Sequence, residues 1–106
     1  MKLEQKYPRA VIEKGKDYLE AVEYCIKIEG IICGRVQGAY TYKTEVDLKS
    51  LDGNCSCPHG TNCKHAVALY LIYENGRFWD AEDFIKNLDK MSHSQQFQNI
   101  SFPSNY

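Results

Sequence analysis

Residues 55–65 read CSCPHGTNCKH, which places three of the five cysteines and two of the three histidines of a 106-residue chain in eleven consecutive positions. Cys55, Cys57, Cys63 and His65 form two close pairs, Cys-x-Cys and Cys-x-His, five residues apart. Thiolate and imidazole are the ligands zinc prefers, and four of them fill a closed tetrahedral shell. The spacing inside each pair constrains the backbone. In a regular strand, residues two apart share a face but stand too far apart for both sulfurs to reach one ion easily, so Cys55 and Cys57 need a bent, knuckle-like chain. In a helix, positions two apart point to nearly opposite sides, so Cys63 must precede or cap a helix whose first turn holds His65. The pairs then clamp the end of a sheet to the start of a helix. Pro58, Gly60 and Asn62 are residue types that let the intervening loop reverse. His59 stands from Cys57 as His65 stands from Cys63, and is the alternative fourth ligand.

Other uses of the cluster fit less well. Five cysteines cannot all pair within one chain, and in a reducing compartment clustered cysteines more often bind metal than form disulfides. A redox site is disfavoured by the absence of Cys-x-x-Cys and by the commitment of the thiolates to a metal. Four protein ligands leave no open position, so the expected metal is one structural Zn2+ and not a hydrolytic centre. A domain of this size gains from such a staple, because small domains bury only about 60–70% of their unfolded surface. The opening MKLEQKYPRAVIEKGKDYLEAV has no uninterrupted apolar stretch of signal-peptide length, and no run approaches the roughly 20 apolar residues of a membrane span. The expectation is a soluble, intracellular, cytoplasmic protein with no membrane partner.

Hydrophobic periodicity places the cluster between a sheet and a helix. Pro8 can open a helix, and Val11, Ile12, Tyr18, Leu19 and Val22 follow at helical spacing, predicting an amphipathic helix over 8–21 that Gly15 weakens. From Val22 the period becomes two. Val22, Tyr24, Ile26 and Ile28 alternate with Glu23, Cys25, Lys27 and Glu29, the pattern of a strand with one buried face. Tyr42, Thr44, Val46 and Leu48 repeat that pattern, and IICGRVQ fits a middle strand between turns at Glu29-Gly30 and Gln37-Gly38. The sum is a three-stranded antiparallel meander.

After the cysteines, Ala66 to Tyr73 is wholly apolar or aromatic and stops at Glu74-Asn75-Gly76, predicting a helix that needs a second cover besides the sheet. The first helix or another protein would supply it, and Leu69, Tyr70, Ile72 and Tyr73 are the candidate partner surface. WDAEDFIKNL predicts a short helix capped by Asp80, with Phe78, Trp79 and Phe84 closing the core. From Met91 the tail has no Lys, Arg, Asp or Glu, and is expected to be disordered until it docks. The division is thus an N-terminal helical segment at 1–21, a core at 22–76, a short helix at 77–90 and a tail at 91–106. The fold class is α+β: a small zinc-stapled, ββα-like domain with an N-terminal helix, the meander, the knuckle and a following apolar helix.

Charge bounds the function. Thirteen basic residues oppose fourteen acidic ones, with ten against nine in residues 1–64 and three against five in 65–106, so no whole-domain basic footprint is present. Direct DNA or RNA binding would rest on Lys27, Arg35, Lys43, Lys49 and Lys64, with Tyr40 stacking on a base. Those cations alternate with Glu23, Glu29, Glu45 and Asp47, as on a solvated mixed-charge face. Cys25 and Cys33 are read as small apolar fillers or exposed thiols. Asn99-Ile100-Ser101 matches a glycosylation acceptor but lacks a secretory signal.

The spacing C-x-C-x5-C-x-H, and RVQGAYTYKTEVDL leading through CSCP and CKH into an apolar run, resemble the SWIM zinc finger over roughly residues 22–73. Ala68 stands at the alanine of the extended form C-x-H-x-x-A, found in SWIM proteins that accompany RecA-family recombinase paralogues. The resemblance implies Cys55, Cys57, Cys63 and His65 as zinc ligands and a role in DNA binding or protein–protein contact. The chain has no phosphate-binding glycine loop with a Lys, no nuclease carboxylate set and too little length for a helicase, so no enzyme activity is expected. A subunit or adaptor fits: self-associating or bound to another protein such as a RecA-like ATPase in DNA repair or recombination, with a nucleic-acid binding module as the alternative.

Overall fold

The computed structural model describes residues 2–82. Its elements are α1 (Lys2–Lys6), α2 (Arg9–Lys16), a 3-10 turn (Leu19–Ala21), β1 (Val22–Ile28), β2 (Ile31–Gln37), β3 (Thr41–Asp47), β4 (Gly53–Cys55), α3 (Lys64–Glu74) and β5 (Trp79–Asp80). The expected antiparallel meander β1-β2-β3 is the centre of a five-stranded sheet ordered β4-β3-β2-β1-β5. The knuckle strand β4 adds antiparallel to β3, and β5 adds parallel to β1. Glu29 and Gly30 both have positive φ, 48° and 81°, the type I′ geometry of a two-residue hairpin.

The sheet's inner face presents Ile32 and Val36 from β2 and Tyr42, Thr44 and Val46 from β3, all buried. Strand β1 departs from its alternation. Its pairing with β2 slips between Val22 and Tyr24, so Val22 faces Val36 while Tyr24 faces Arg35. Glu23 is the extra residue of this bulge, and a one-residue slip exchanges the two faces of everything after it. Cys25 takes the core position opposite Gly34, whereas Tyr24, Ile26 and Ile28 turn outward beside Arg35, Cys33 and Ile31. The reading of Tyr24, Ile26 and Ile28 as the buried side of β1 is therefore corrected, and Cys25 is settled as a core filler. Gly34 leaves space for the neighbouring helix: a Cβ there would lie 2.0 Å from the Tyr24 carbonyl oxygen and 2.8 Å from Leu69 Cδ1.

Helix α3 lies on the inner face, against β1 to β4 on one side and α2 on the other. His65 to Tyr70 and Ile72 are buried. Leu69, Tyr70 and Ile72 are 0%, 9% and 5% exposed, and Tyr73, half-buried, stacks on Phe78 at 4.7 Å between ring centroids. Leu69, Tyr70 and Ile72 are therefore core and Tyr73 packs half-buried against it, which corrects their reading as a partner surface: the second cover the apolar helix requires comes from the chain's own N-terminal segment. Gly15 is what brings that cover close, since a Cβ there would stand 2.4 Å from Val67 Cγ1. The N-terminal helix is also shorter than 8–21, ending at Lys16 before the 3-10 turn, and α1 precedes it with Leu3 and Tyr7 buried. Tyr7 donates its hydroxyl hydrogen to the Leu51 carbonyl at 2.8 Å, and burial, with Cys63 and Asp52 nearby, pushes its pKa up to about 12.

Trp79 and Asp80 form β5 where a helix was expected to begin, and Asp80 Oδ1 accepts the Glu82 N–H at 3.0 Å, the capping contact expected of it. Phe78 closes the core, whereas Trp79, paired with Ile26, stands 49% exposed on the outer side. Phe84, the rest of the WDAEDFIKNL helix, the tail 91–106 and Asn99-Ile100-Ser101 lie outside the described residues.

Candidate metal centre

Three backbone devices bring the four ligands together. Strand β4 ends at Cys55, after which Ser56 N–H donates to the Lys43 carbonyl, so the knuckle stays tied to β3. The loop then folds back: Cys55 N–H donates to the Gly60 carbonyl at 2.7 Å, and Asn54 bridges Thr61. Asn62, with φ 48°, accepts the Gly53 N–H on its side-chain oxygen at 2.8 Å and locks the base of the loop. Cys63 is the extended N-cap of α3, with φ −93° and ψ 175°, and His65 is the second residue of the helix. These are the cap and first-turn positions that the Cys-x-His spacing requires.

The donor atoms of Cys55, Cys57, Cys63 and His65 all lie within 4.8 Å of one another. His65 Nδ1 is 3.6 Å from both Cys55 Sγ and Cys63 Sγ. Zinc bonds of about 2.3 Å to sulfur and 2.0–2.1 Å to nitrogen, at a tetrahedral angle, place sulfur and nitrogen about 3.6 Å apart. The set therefore fits Zn2+ in distance as well as in chemistry. His59 is exposed in the loop and outside this cluster, which corrects its candidacy as the alternative ligand. With His65 in the shell, the metal ties helix to sheet.

The surroundings favour the metal-binding form at His65 and Cys57 and oppose it at Cys63. Burial, with Lys64 nearby, keeps His65 below the usual histidine range, so its imidazole is neutral at pH 7. Burial also penalises the Cys57 thiolate, but the N–H groups of Gly60 and His59 and the side chains of Cys55 and Cys63 bring its pKa below the ordinary value. Burial pushes the Cys63 thiol up to about 12 against the opposing Ala66 N–H, and Cys55 raises it further. In the metal-free chain Cys63 thus carries its proton at neutral pH, and a cation must displace it; falling pH favours the proton.

Three residues of this centre were missed by the sequence reading. The Thr44 hydroxyl lies 3.4 Å from Cys55 Sγ at 1% exposure, within hydrogen-bond reach, and would donate to that sulfur once it ligates a metal. A polar residue in the buried series Tyr42, Thr44, Val46 was the available signal. The His65 ring meets Tyr18 edge-on, with centroids 5.0 Å apart, and Tyr42 at a tilt of 35°, with centroids 4.9 Å apart, an arrangement with no signature in spacing. Outer-shell hydrogen bonds typically carry about 10–100-fold in metal affinity. Thr44→Val, close in shape, is accordingly expected to weaken zinc binding at least about 10-fold in a chelator competition while the chain stays folded; unchanged affinity would remove Thr44 from the centre.

The proposed nucleic-acid cations do not form one patch. Arg35 and Lys43 are cross-strand partners on the outer sheet face. Lys27 lies toward Asp80 and Glu82, at 3.8 and 3.5 Å. Lys49 sits in the β3–β4 turn, where its N–H donates to Asp47, whose carboxyl is held low by the Ser50 and Lys49 N–H groups. Lys64 stands 5.1 Å over the Tyr18 ring beside the metal centre. Cys25 and Cys33 project from opposite faces of adjacent strands, and both are free thiols raised chiefly by burial.

Comparison with known proteins agrees with this geometry. The chain is 43% identical over 86 residues to the uncharacterized protein MJ1493 of Methanocaldococcus jannaschii, an alignment covering 78% of this chain and 37% of that protein. The chain thus spans little more than a third of its relative's length. No solved structure matches it significantly. Among the described residues no helix is long and apolar enough to cross a membrane. The SWIM zinc finger family matches residues 42–74, from the inward Tyr42 of β3 to the last residue of α3. With all four donors of the C-x-C-x5-C-x-H motif gathered around one point, residues 42–74 are a SWIM zinc finger, a zinc-binding interaction module whose Cys3His site holds a single structural Zn2+.

Proposed function

We propose that this module is a non-catalytic adaptor that docks another protein on the outer face of its sheet. The observation that carries the reading is the outward turn of β1: Ile28 and Ile31 are 42% and 40% exposed and adjacent, next to Tyr24, Ile26 and Cys33. A contiguous apolar strip on a small domain marks a contact surface. Its border is mixed in sign, with Arg35 and Lys43 beside Glu45 and Asp47, which suits a protein surface better than a phosphate backbone. The four-ligand metal shell leaves no position for a substrate, in keeping with binding rather than catalysis. The partner class that the resemblance implies is a RecA-like ATPase acting in DNA repair or recombination.

The test uses a purified RecA-family ATPase and the zinc-loaded chain. The expected result is binding that Ile31→Glu weakens at least about 10-fold, together with protection of the Cys33 thiol from alkylation in the complex. Binding that survives Ile31→Glu overturns the docking face. Failure of the ATPase with formation of an Ile31-dependent homodimer replaces the partner by a second copy of the chain.

A further inference from the structure

Beside the metal centre, α2, the β2–β3 loop and the knuckle enclose a cleft of about 410 Å³, within the range of small-ligand sites. His65 lines it and is itself only 4% exposed. Its Nδ1 faces two of the sulfurs, so zinc on Nδ1 leaves the ring proton on Nε2. A metal-bound histidine almost always donates that second N–H to a carboxylate, a carbonyl or water. Here Nε2 has no hydrogen-bond partner among the described residues. No side-chain nitrogen or oxygen among them is both fully buried and unpartnered, so solvent reaches Nε2, and it does so through the cleft. Gly38 flanks it on the loop side, where a Cβ would come within 3.2 Å of Nε2. The donor is thus fixed by the metal, opens into a cavity and lacks an acceptor.

The charge around it selects the acceptor. Lys14 from α2 and Lys64 from α3 line the cleft, with His59 on the knuckle, and no aspartate or glutamate does. Three thiolates against one divalent ion give the zinc centre about one net negative charge, so the two lysines leave the cleft positive by about one. A carboxylate carries that single opposite charge and presents two oxygens, one for the imidazole N–H and one for an ammonium group. A phosphate monoester, at about −1.5 to −2, overshoots it. Val11, Pro58 and the ring of Tyr18 offer apolar contact to the group that carries the carboxylate.

We infer that this cleft binds a carboxylate, which accepts the Nε2–H of zinc-bound His65 and is paired by Lys14 and Lys64. The carboxylate is supplied by an acidic side chain of a bound protein or by a free small molecule. The cleft shares no residue with the apolar strip of the outer face, so it stands or falls independently of the adaptor reading.

The experiment is an NMR titration of the nitrogen-15-labelled, zinc-loaded chain with benzoate and, separately, with acetyl-leucyl-glutamyl-leucinamide, zinc content being measured for every variant. The signal followed is the side-chain Nε2–H of His65, whose proton should move downfield and saturate as it is shared with an anion. Lys14→Gln combined with Lys64→Gln is expected to weaken both probes about 10-fold or more, the loss of hydrogen bonds to a charged group. Benzamide and the glutaminyl counterpart of the peptide match the probes in shape without the charge, and should bind about 10-fold or more weakly. Lys16→Gln, on the same helix as Lys14 but paired with Glu13 at 3.0 Å, should bind as the parent does. Tighter binding of the peptide than of benzoate assigns the site to a protein's acidic side chain, and the reverse order assigns it to free carboxylates. An unmoved Nε2–H signal with either probe at saturation, parent-like binding by the double lysine variant, or equal binding of the amide probes or of inorganic phosphate each overturns the inference.

Discussion

Replacement of Cys63 by serine is expected to reduce zinc from about one per chain to near zero and to abolish the cooperative thermal transition. Serine offers a hydroxyl that does not ionise near neutral pH, so the shell falls to two thiolates and an imidazole, and α3 loses its N-terminal anchor. Structural zinc in finger peptides contributes about 10–16 kcal/mol at pH 7, as large as the whole stability of an ordinary domain at about 5–15 kcal/mol. The surrounding packing cannot offset that loss, because α3 carries the buried residues Ala66 to Leu69 that join sheet and N-terminal helices. Elemental analysis and circular dichroism on the purified variant check it, and a folded, metal-free Cys63→Ser chain would disprove the structural role of the ion. Acid should reach the same end point in the native chain: the thiols of the released site regain protons as pH falls, and Cys63, pushed up to about 12 by burial, retains its proton throughout the neutral range.

Gly34→Ala is the second large effect, and it tests the packing of α3 on the sheet without touching the metal ligands. The added Cβ would sit 2.0 Å from the Tyr24 carbonyl oxygen, a backbone atom of the paired strand, and 2.8 Å from Leu69 Cδ1. A flexible side-chain tip can move aside, but a strand carbonyl moves only with its strand. The β1–β2 pairing must therefore open or α3 must lift. Overpacking of a core costs about 1–3 kcal/mol and occasionally more, and a backbone collision belongs at the upper end. At about 4–8 °C per kcal/mol for a domain of this size, Tm should fall by about 12–24 °C with zinc still bound. A drop under about 4 °C would mean that β1 and β2 are not held in the register described here.

These two outcomes separate what the residues announce from what the packing imposes. The metal centre was legible because ligand chemistry is local: Cys55, Cys57, Cys63 and His65 lie within eleven residues, and the only sense in which both short pairs can serve one ion is a knuckle followed by a helix cap. The meander was legible for a similar reason, since an alternating strand and a Glu29-Gly30 turn specify neighbours a few residues away; β2 spans Ile31–Gln37 as read, and β3 differs by one residue. Of the outer-shell residues, Thr44 left only the faint signal of a polar residue in a buried series, and Tyr18 and Tyr42 left none, because each acts on a ligand far along the chain.

The sequence by itself determined a Cys3His zinc site between a β-meander and an apolar helix, because ligand spacing and side-chain period are properties of neighbouring residues. Only the tertiary structure decided which surfaces are left for function. A single bulge at Glu23 turned the apolar series of β1 outward, and Gly15 let the N-terminal helix close over α3. Leu69, Tyr70 and Ile72 thereby became core with Tyr73 packed half-buried against it, and Ile28 and Ile31 became surface. The alternation of a strand shows that it has two faces, but the face that meets the core is set by its register with the partner strand and by the helix packed upon them, and both are long-range contacts.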